Sequence, residues 1–364
     1  MTPASRFGKR PDLIVHEQEP FNAETPRAAL ADADVTALDA FYVRNHGAVP
    51  ELDPETWRLR VGGLVDRELE LSLAALRNGR FPVREVTATL QCAGNRRAGL
   101  IAVADIPGEA PWGPGATGNA VWRGVALADV VAAAGPRAEA SEVAFVGADE
   151  AEGPEPAQPF GASIPLRKAL RPEVLLAWEM NGEPLAAVHG APLRGIVPGF
   201  VGARSVKWLE RIELRDAPFD GWFQDVAYRL LAPGQEAGPG AGMALGEVAL
   251  NADVLVPADG ADVPAGWVEL RGHAFAGGER RVTRVDVSVD GGRSWRQADL
   301  QEDLGRWALR RWRADVELPA GEHEVVVRAW DSAAATQPED PAHLWNPKGY
   351  VNNAWGRVRL HARA

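Results

Sequence analysis

A chain of 364 residues with 46% hydrophobic and 24% charged residues has the composition of a folded globular protein with room for two domains. Disordered and fibrous proteins are thereby excluded. The 39 Lys and Arg residues against 50 Asp and Glu residues give a net charge of −11, which argues against nucleic acid or an anionic membrane as the main partner.

Targeting signals are weak. No stretch approaches the roughly 18 apolar residues of a membrane span. The N-terminal segment lacks the ~7–15-residue apolar core of a secretory signal. We therefore expect a cytoplasmic protein, or a periplasmic one only if a signal peptide precedes this sequence.

The N-terminal third mixes strand and helix signals. The first 40 residues contain several prolines and little periodicity, so we expect an irregular arm lying on a domain surface. Trp57, Leu59 and Val61 alternate with polar residues and predict a half-buried strand. Ser72 is expected to cap a short helix that ends before Gly79.

The next segments continue this mixture. Residues 85–91 alternate as a strand does and run directly into Cys92, so we expect this cysteine at a strand end. Apolar residues at helical spacing over 127–134 predict a helix that ends at Gly135, and a strand follows from Val143. Mixed helices and strands indicate an α+β domain.

The C-terminal part has a different pattern. A Gly-, Pro- and Ala-rich connector over 230–246 precedes several short strands with turn signals, among them Asp290-Gly291. This pattern predicts an immunoglobulin-like antiparallel β-sandwich. The expected organisation is an N-terminal arm over 1–40, an α+β domain over 41–240 and an all-β domain over 241–364.

The chain has a single cysteine, Cys92, within the segment TLQCAGNRR. The guanidinium groups of Arg96 and Arg97 favour its thiolate, which suits metal ligation or nucleophilic attack. A buried structural cysteine is the alternative, because free cysteine is among the most buried residue types. A cysteine protease would need an activating histidine, and neither His46 nor His189 lies in a protease-like setting. The residues alone leave the role of the thiol open.

Two further segments concentrate hydrogen-bond donors on loops. Arg44, Asn45 and His46 are consecutive in FYVRNHGAVP, which suits a phosphate or oxyanion, although a solvated polar loop is the simpler alternative. Residues 189–214 place basic side chains among glycines and prolines that fix loop shapes, namely His189, Arg194, Arg204 and Lys207. These groups indicate an anionic ligand, and the alternative is a set of surface charges beside a strand.

These segments also resemble a known family. TLQCAGNRR, FYVRNHG, FGASIPL, LAWEMNG and GARSVKWLERI are similar to the sulfite oxidase family of molybdopterin enzymes, and the similarity extends from EPFNAETPR through NPKGYVNNAWGRV. The resemblance implies an α+β domain that binds a molybdenum–molybdopterin (pyranopterin dithiolene) cofactor and an immunoglobulin-like domain that forms a homodimer. It implies oxidation of sulfite to sulfate by oxo transfer at a Cys-ligated dioxo-molybdenum centre.

The resemblance also implies site residues. Cys92 would be the protein ligand of the metal. The substrate pocket would contain Arg44, Arg97, Trp112, Tyr228 and Arg310. The cofactor contacts, besides Cys92, would be Asn45, His46, Ser163, His189, Arg194 and Lys207.

Electron transfer follows from the subtype that the chain resembles. It is similar to the haem-free plant and bacterial members, so no haem is expected, and the acceptor would be oxygen or a separate cytochrome. No CxxCH haem attachment and no cysteine set for an iron–sulfur cluster occurs in the sequence.

Two alternative functions stay open at this point. A nitrate reductase-like molybdenum enzyme would share the cofactor and the cysteine, but Tyr228 and Arg310 favour sulfite, provided that Arg310 rather than the adjacent Arg311 is the matching residue. The second alternative is a metal-free immunoglobulin-like interaction protein with a degenerate cofactor domain.

Overall fold

The computed structural model describes residues 3–151, 153 and 157–364. The N-terminal arm contains four short elements: α1 (Pro3–Arg6), the hairpin β1 (Ile14–Glu17) and β2 (Asn22–Glu24), and α2 (Arg27–Asp32). Leu13 and Phe21 of the arm pack with Val43 and Val188 in a small apolar cluster. The first part of the arm therefore lies on the first domain, whereas Leu30 and Ala31 of α2 pack on Leu255 in the C-terminal part of the chain. The arm is less irregular than its sequence indicates, because elements this short show no periodicity.

The first domain contains two five-stranded sheets. Its elements are β3 (Arg58–Gly63), β4 (Leu69–Ser72), α3 (Leu73–Arg77), β5 (Val83–Gln91), α4 (Arg97–Ile101), β6 (Thr117–Ala126), α5 (Leu127–Ala134), β7 (Glu142–Ala151), β8 (Gln158–Pro165), α6 (Leu166–Ala169), β9 (Leu175–Met180), β10 (Glu183–Pro184), β11 (Arg194–Ile196) and β12 (Leu209–Arg215). One sheet has the order β10-β9-β6-β5 with β11 on β9, and the other β4-β3-β12-β7-β8. The predicted mixture of strands and helices is confirmed.

Local signals explain where two of the helices begin and end. The Ser72 hydroxyl accepts a hydrogen bond from the backbone N–H of Ala75 at 3.0 Å, so Ser72 caps α3 as predicted. Gly135 follows α5 with φ of 73°, a left-handed conformation that glycine adopts without steric cost. None of the helices described is long and apolar enough to cross a membrane.

Irregular segments join the later strands of the first domain and lead from it to the second. Short helical turns occupy Ala187–His189, Gly202–Arg204 and Phe223–Ala227, and a small hairpin pairs β13 (Arg229–Leu230) with β14 (Met243–Ala244). The two strands of this hairpin lie near the two ends of the predicted connector, and its Gly- and Pro-rich residues form the loop between them.

The C-terminal part is a two-sheet sandwich. Its strands are β15 (Asn251–Val256), β16 (Ala261–Pro264), β17 (Gly266–Phe275), β18 (Val282–Ser288), β19 (Arg296–Gln297), β20 (Asp299–Leu300), β21 (Arg310–Leu318), β22 (Gly321–Asp331) and β23 (Gly356–Arg363). The sheets have the orders β15-β17-β21-β20 and β16-β23-β22-β18-β19. All pairs are antiparallel except β16–β23, which is parallel. The predicted all-β domain is confirmed.

The two domains meet at the strand that precedes the cysteine. The backbone N–H of Thr89 donates to the carbonyl of Trp307 at 2.9 Å, and the N–H of Leu309 donates to the Thr89 hydroxyl at 2.8 Å. Strand β5 is thus hydrogen-bonded to β6 in its own domain and to the sandwich. Cys92 follows directly after this doubly held strand.

Candidate active site

One cleft in the first domain gathers most of the predicted site residues. It encloses about 680 Å³ of space, its open mouth included. The predicted residues that line it are Arg44, Asn45, His46, Cys92, His189, Arg194, Lys207 and Tyr228. They come from loops far apart in sequence, so the fold assembles the site from all three basic or cysteine-containing segments.

Cys92 lies on the wall of the cleft with only 7% of its surface exposed. Its backbone N–H donates to the carbonyl of Ala116 at 2.9 Å, which fixes the residue after β5. The Gly94 N–H lies 3.4 Å from the Cys92 sulfur and donates to it. A thiol held this way has a defined direction, as a metal ligand needs.

The loop after the arm contributes a neutral histidine, His46, whose hydrogen-bond partner Tyr228 comes from a much later segment. His46 Nε2 lies 2.7 Å from the Tyr228 hydroxyl, and the His46 ring stacks on Phe160 at 4.7 Å. Burial, reinforced by Arg44 and Lys207, holds the pKa of His46 well below its ordinary value. Burial also raises the pKa of Tyr228, so both groups are uncharged near neutral pH and share one hydrogen bond.

Basic side chains form the opposite wall. Arg194 donates to the carbonyl of His189 at 2.8 Å and to that of Ser205 at 2.9 Å, while its buried Nε has no hydrogen-bond partner among the residues that the structure describes. Burial lowers its pKa to about 10, so it keeps its charge at neutral pH. Lys207 donates to the side-chain oxygen of Asn45 and to the Val188 carbonyl. Burial, reinforced by Arg194, holds the pKa of Lys207 well below its ordinary value, so the arginines carry the local positive charge that the chain as a whole lacks.

Asp149 is a cleft residue that the sequence did not indicate. It lies near the end of β7, is 3% exposed, and its Oδ1 has no hydrogen-bond partner among the described residues. Burial raises its pKa to about 6, against the opposing effect of Lys207. The sequence shows only a carboxylate within a largely apolar strand. In the structure this residue lies beside the register shift between Val146 and Glu150.

Arg97 and Trp112 lie close to Cys92 but do not line the cleft. The Arg97 guanidinium donates to the carbonyls of Lys348 and Ala110, both at 3.0 Å, and forms an ion pair with Glu109 at 3.1 Å. Trp112 is buried in the apolar cluster that contains Cys92. Because the guanidinium is held by protein groups, any influence of Arg97 on the site would be indirect.

Ser163 and Arg310 lie away from the cleft. The Ser163 hydroxyl donates to Glu142 at 2.8 Å and accepts from Gln224 and from the Phe219 N–H, both at 3.0 Å. Arg310 points to Asp303, with Nη1 and Oδ2 3.3 Å apart, in a separate small pocket. If Arg311 rather than Arg310 is the residue that matches the family, the result is the same, because Arg311 pairs with Asp34 of the arm and does not line the cleft either. Their assigned roles stay predictions.

The cleft matches an anionic ligand that also carries hydrogen-bond donors. Arg44 and Arg194 supply positive charge and Lys207 supplies an amine donor. The Asp149 oxygen that has no partner in the described part of the chain would accept from a donor such as an amino group. The thiol of Cys92 supplies a soft ligand beside them. A cofactor that combines phosphate, a heterocycle and a soft metal fits this set of residues.

Comparisons with known proteins agree with this combination. Residues 46–223 match the oxidoreductase molybdopterin binding domain, and residues 243–363 match the Mo-co oxidoreductase dimerisation domain. Sulfite oxidase from Gallus gallus is 43% identical, with 96% of this chain and 78% of that protein covered. Sulfite oxidase from Arabidopsis thaliana is 38% identical, with 97% and 94% covered.

A solved structure has the same overall architecture. The crystal structure of the sulfane dehydrogenase SoxCD from Paracoccus pantotrophus matches with a TM-score of 0.82 and 26% identity, and covers 99% of this chain and 91% of that one. The match includes both the cleft-bearing domain and the sandwich. With the relatives at about 40% identity over nearly the whole chain, it leads to one conclusion: the chain belongs to the sulfite oxidase family of molybdopterin oxidoreductases.

Proposed function

We propose that this protein oxidises sulfite to sulfate, with a molybdenum–molybdopterin cofactor bound in the cleft and Cys92 as the protein ligand of the metal. One observation supports this most: the single thiol of the chain lies on the wall of the same cleft that contains the basic side chains. A structural cysteine would need no such surroundings.

The cofactor would be held by the basic wall. Asn45, His189, Arg194 and Lys207 offer donors to its anionic part, and Asp149 offers an acceptor to its heterocycle. When bound, the cofactor supplies the two-electron redox chemistry and the oxygen transfer. The contribution of the protein is binding, orientation and charge.

Arg44 and Tyr228 would form the substrate side, and His46, a predicted cofactor contact, is hydrogen-bonded to Tyr228. Arg44 brings a positive charge to the cleft for an oxyanion, and Tyr228 brings a hydroxyl that stays protonated because burial raises its pKa. The His46–Tyr228 hydrogen bond orients that hydroxyl. A protonated phenol can donate to a sulfite oxygen or pass a proton through His46.

Arg97 would act as a positioning residue. Its guanidinium lies 5.2 Å from the centre of the Tyr350 ring, and Tyr350 stacks on Tyr228 with ring centres 5.5 Å apart. The stack links the Arg97–Glu109 ion pair to the phenol in the cleft. For Arg310 we propose a substrate role on family resemblance alone, and its ion pair with Asp303 would have to open for that role.

The remaining partners follow from the family. We propose a homodimer formed through the sandwich domain, no haem in this chain, and oxygen or a separate cytochrome as the electron acceptor. Oxidation of sulfite with water yields sulfate, two protons and two electrons, so an external acceptor is required in every turnover.

The experiment combines metal analysis with two assays on the same purified protein. We expect about one molybdenum per chain, and sulfite-dependent reduction of ferricyanide. Comparison of cytochrome c with oxygen then identifies the type of acceptor. Nitrate reduction by a reduced dye without sulfite oxidation would establish the nitrate reductase alternative. Metal-free protein from a cofactor-competent host would instead indicate the interaction module.

A further inference from the structure

The N-terminal arm places one buried amine behind the wall of the cleft. Lys9 is 7% exposed, although lysine is almost never fully buried without a partner. Its Nζ lies 2.5 Å from the Leu38 carbonyl, 3.0 Å from the Phe41 carbonyl and 2.6 Å from His189 Nε2. No ion pair in the described part of the chain includes Lys9. Its partners are therefore two carbonyls and a ring that lines the cleft.

Counting donors and acceptors assigns the proton on the histidine ring. An ammonium group has three N–H donors and no acceptor, and Lys9 has three acceptors within reach. His189 Nε2 must then be unprotonated. Burial, with Lys9 and Arg194 adding to it, holds the pKa of His189 well below its ordinary value against the opposing effect of the Leu38 carbonyl, so the ring is neutral. A neutral ring that accepts at Nε2 carries its proton on Nδ1.

The protonated ring nitrogen is free to serve a ligand. His189 lines the cleft, and no side chain in the described part of the chain hydrogen-bonds its Nδ1. The backbone around it is fixed, since the His189 carbonyl accepts from Arg194 and the Val188 carbonyl from Lys207. An N–H donor in this setting suits an anionic group.

We infer that Lys9 is a positioning residue that fixes neutral His189 in the tautomer with Nδ1–H as a donor toward the ligand in the cleft. Through this contact the N-terminal arm contributes to cofactor retention. The identity of the ligand rests on the proposed function, whereas the tautomer does not.

The opposite arrangement is the competing state. A neutral Lys9 amine would donate to the two carbonyls and accept from Nε2–H, which leaves Nδ1 unprotonated. Burial lowers the pKa of Lys9 to about 7, and Asp39 opposes this shift. Arg194 and Lys207 are the other charged groups that act on His189. At pH 6 the ammonium form prevails, and an anion in the cleft stabilises it further.

The first test observes the tautomer directly. Holoenzyme with ¹⁵N-labelled histidine is measured at pH 6 by two-bond ¹H–¹⁵N correlation, with the His189 signals assigned from a His189→Gln variant. We expect the Nδ1–H tautomer in the wild type and in Lys9→Arg, and a mixture in Lys9→Met. A wild-type ring protonated on Nε2 would overturn the inference.

The second test measures cofactor retention. Released pterin is followed by fluorescence after dilution of the holoenzyme, and molybdenum per chain is measured in parallel. We expect release about tenfold faster in Lys9→Met than in the wild type, since a hydrogen bond from a charged group is lost. Arg10→Met, at the next position of the same arm and exposed beside Asp12, is the matched control and should release at the wild-type rate.

Two comparisons keep the tests separable. Equal release rates in Lys9→Met and Arg10→Met, with equal melting temperatures of the cofactor-free forms, would contradict the role of Lys9. Wild-type protein that binds no molybdenum would contradict the proposed function while the tautomer stays measurable. Molybdenum-loaded protein with the Nε2–H tautomer would contradict only the inference on Lys9.

Discussion

The wall of the cleft and the core of the sandwich are both buried, yet they consist of opposite kinds of side chain. The sandwich core joins apolar residues from both sheets, among them Val254, Leu270, Val285, Trp312, Val327 and Leu360. The cleft wall contains Arg194, Lys207 and Asp149, each with a pKa shifted by burial. The sandwich core is apolar apart from single atoms such as Trp312 Nε1, whereas the cleft places several charged groups around a space that a ligand can fill.

This difference has an energetic consequence. A buried polar atom without a hydrogen-bond partner costs about 1–3 kcal/mol, and both Asp149 Oδ1 and Arg194 Nε are in this state. A ligand present at 1,000 times its Kd stabilises a fold by about 4 kcal/mol. The cleft domain should therefore depend on its cofactor for stability much more than the sandwich does.

Cys92→Ser tests the cleft at its most sensitive point. We expect sulfite oxidation to fall by more than ~100-fold, because a hydroxyl is a poor ligand for a soft metal site. This loss exceeds the loss of activity that is typical when a residue that only supports a metal ligand is replaced. Steady-state assays with ferricyanide measure the loss of activity, and circular dichroism shows whether the variant is folded. Full turnover in a folded, molybdenum-loaded variant would show that Cys92 is not the metal ligand.

Leu270→Ala tests the sandwich in the same way. Leu270 is fully buried in β17, so we expect a loss of about 2–5 kcal/mol in the free energy of unfolding from denaturant titration. Molybdenum content and kcat at 25 °C should stay at wild-type values, provided that the variant remains folded. A matching loss of cofactor would show that the two regions are not independent.

Asp149→Asn should separate stability from binding within the cleft. Between the unfolded pKa of about 4 and the folded pKa of about 6, the folded state holds one proton more, so the free energy of unfolding falls as pH rises through this window. The full shift of about two pKa units corresponds to roughly 3 kcal/mol. We expect the cofactor-free variant to lose this pH dependence and to melt higher at pH 7.

The same variant should bind the cofactor less well, because an amide replaces the free carboxylate oxygen. Thermal melts from pH 4 to pH 7 and molybdenum content measure the two halves of this prediction. A variant that still loses stability from pH 4 to pH 6 would place the responsible carboxylate elsewhere.

Tyr228→Phe should have the smallest effect. Removal of the hydroxyl leaves His46 without its 2.7 Å partner, so we expect kcat/KM for sulfite to fall about tenfold, or ~1.4 kcal/mol. Molybdenum content should not change, because the role that we propose for Tyr228 is toward the substrate rather than the cofactor. Tyr350→Phe, which keeps the ring stack on Tyr228, is the control and should retain wild-type kinetics.

Local patterns were sufficient to predict much of the fold. The alternation before Cys92, the Ser72 cap and Gly135 all depend on neighbours a few residues away, and all three are confirmed. The short elements of the arm and strand β16 are too brief to show a period, so only tertiary pairing defines them.

Site residues were harder to predict where direction rather than identity matters. Arg97 lies five positions after Cys92, but the left-handed conformation of Arg96, with φ of 66°, starts α4 in a direction that turns the Arg97 side chain to Glu109. Asp149 and Lys9 were missed because one lies in an apolar strand and the other in a Pro-rich arm. Their burial against distant loops has no local signature.

Because Thr89 is hydrogen-bonded to the sandwich, hydrogen exchange at this position of β5 reports on the contact between the two domains. The N–H groups of Thr89 and Leu309 can exchange with solvent only when the domains separate or β5 opens. Their deuterium uptake should therefore be slow and should change together. A cut in the connector over 230–246 would then disturb the strand that orients the thiol before it disturbs either core.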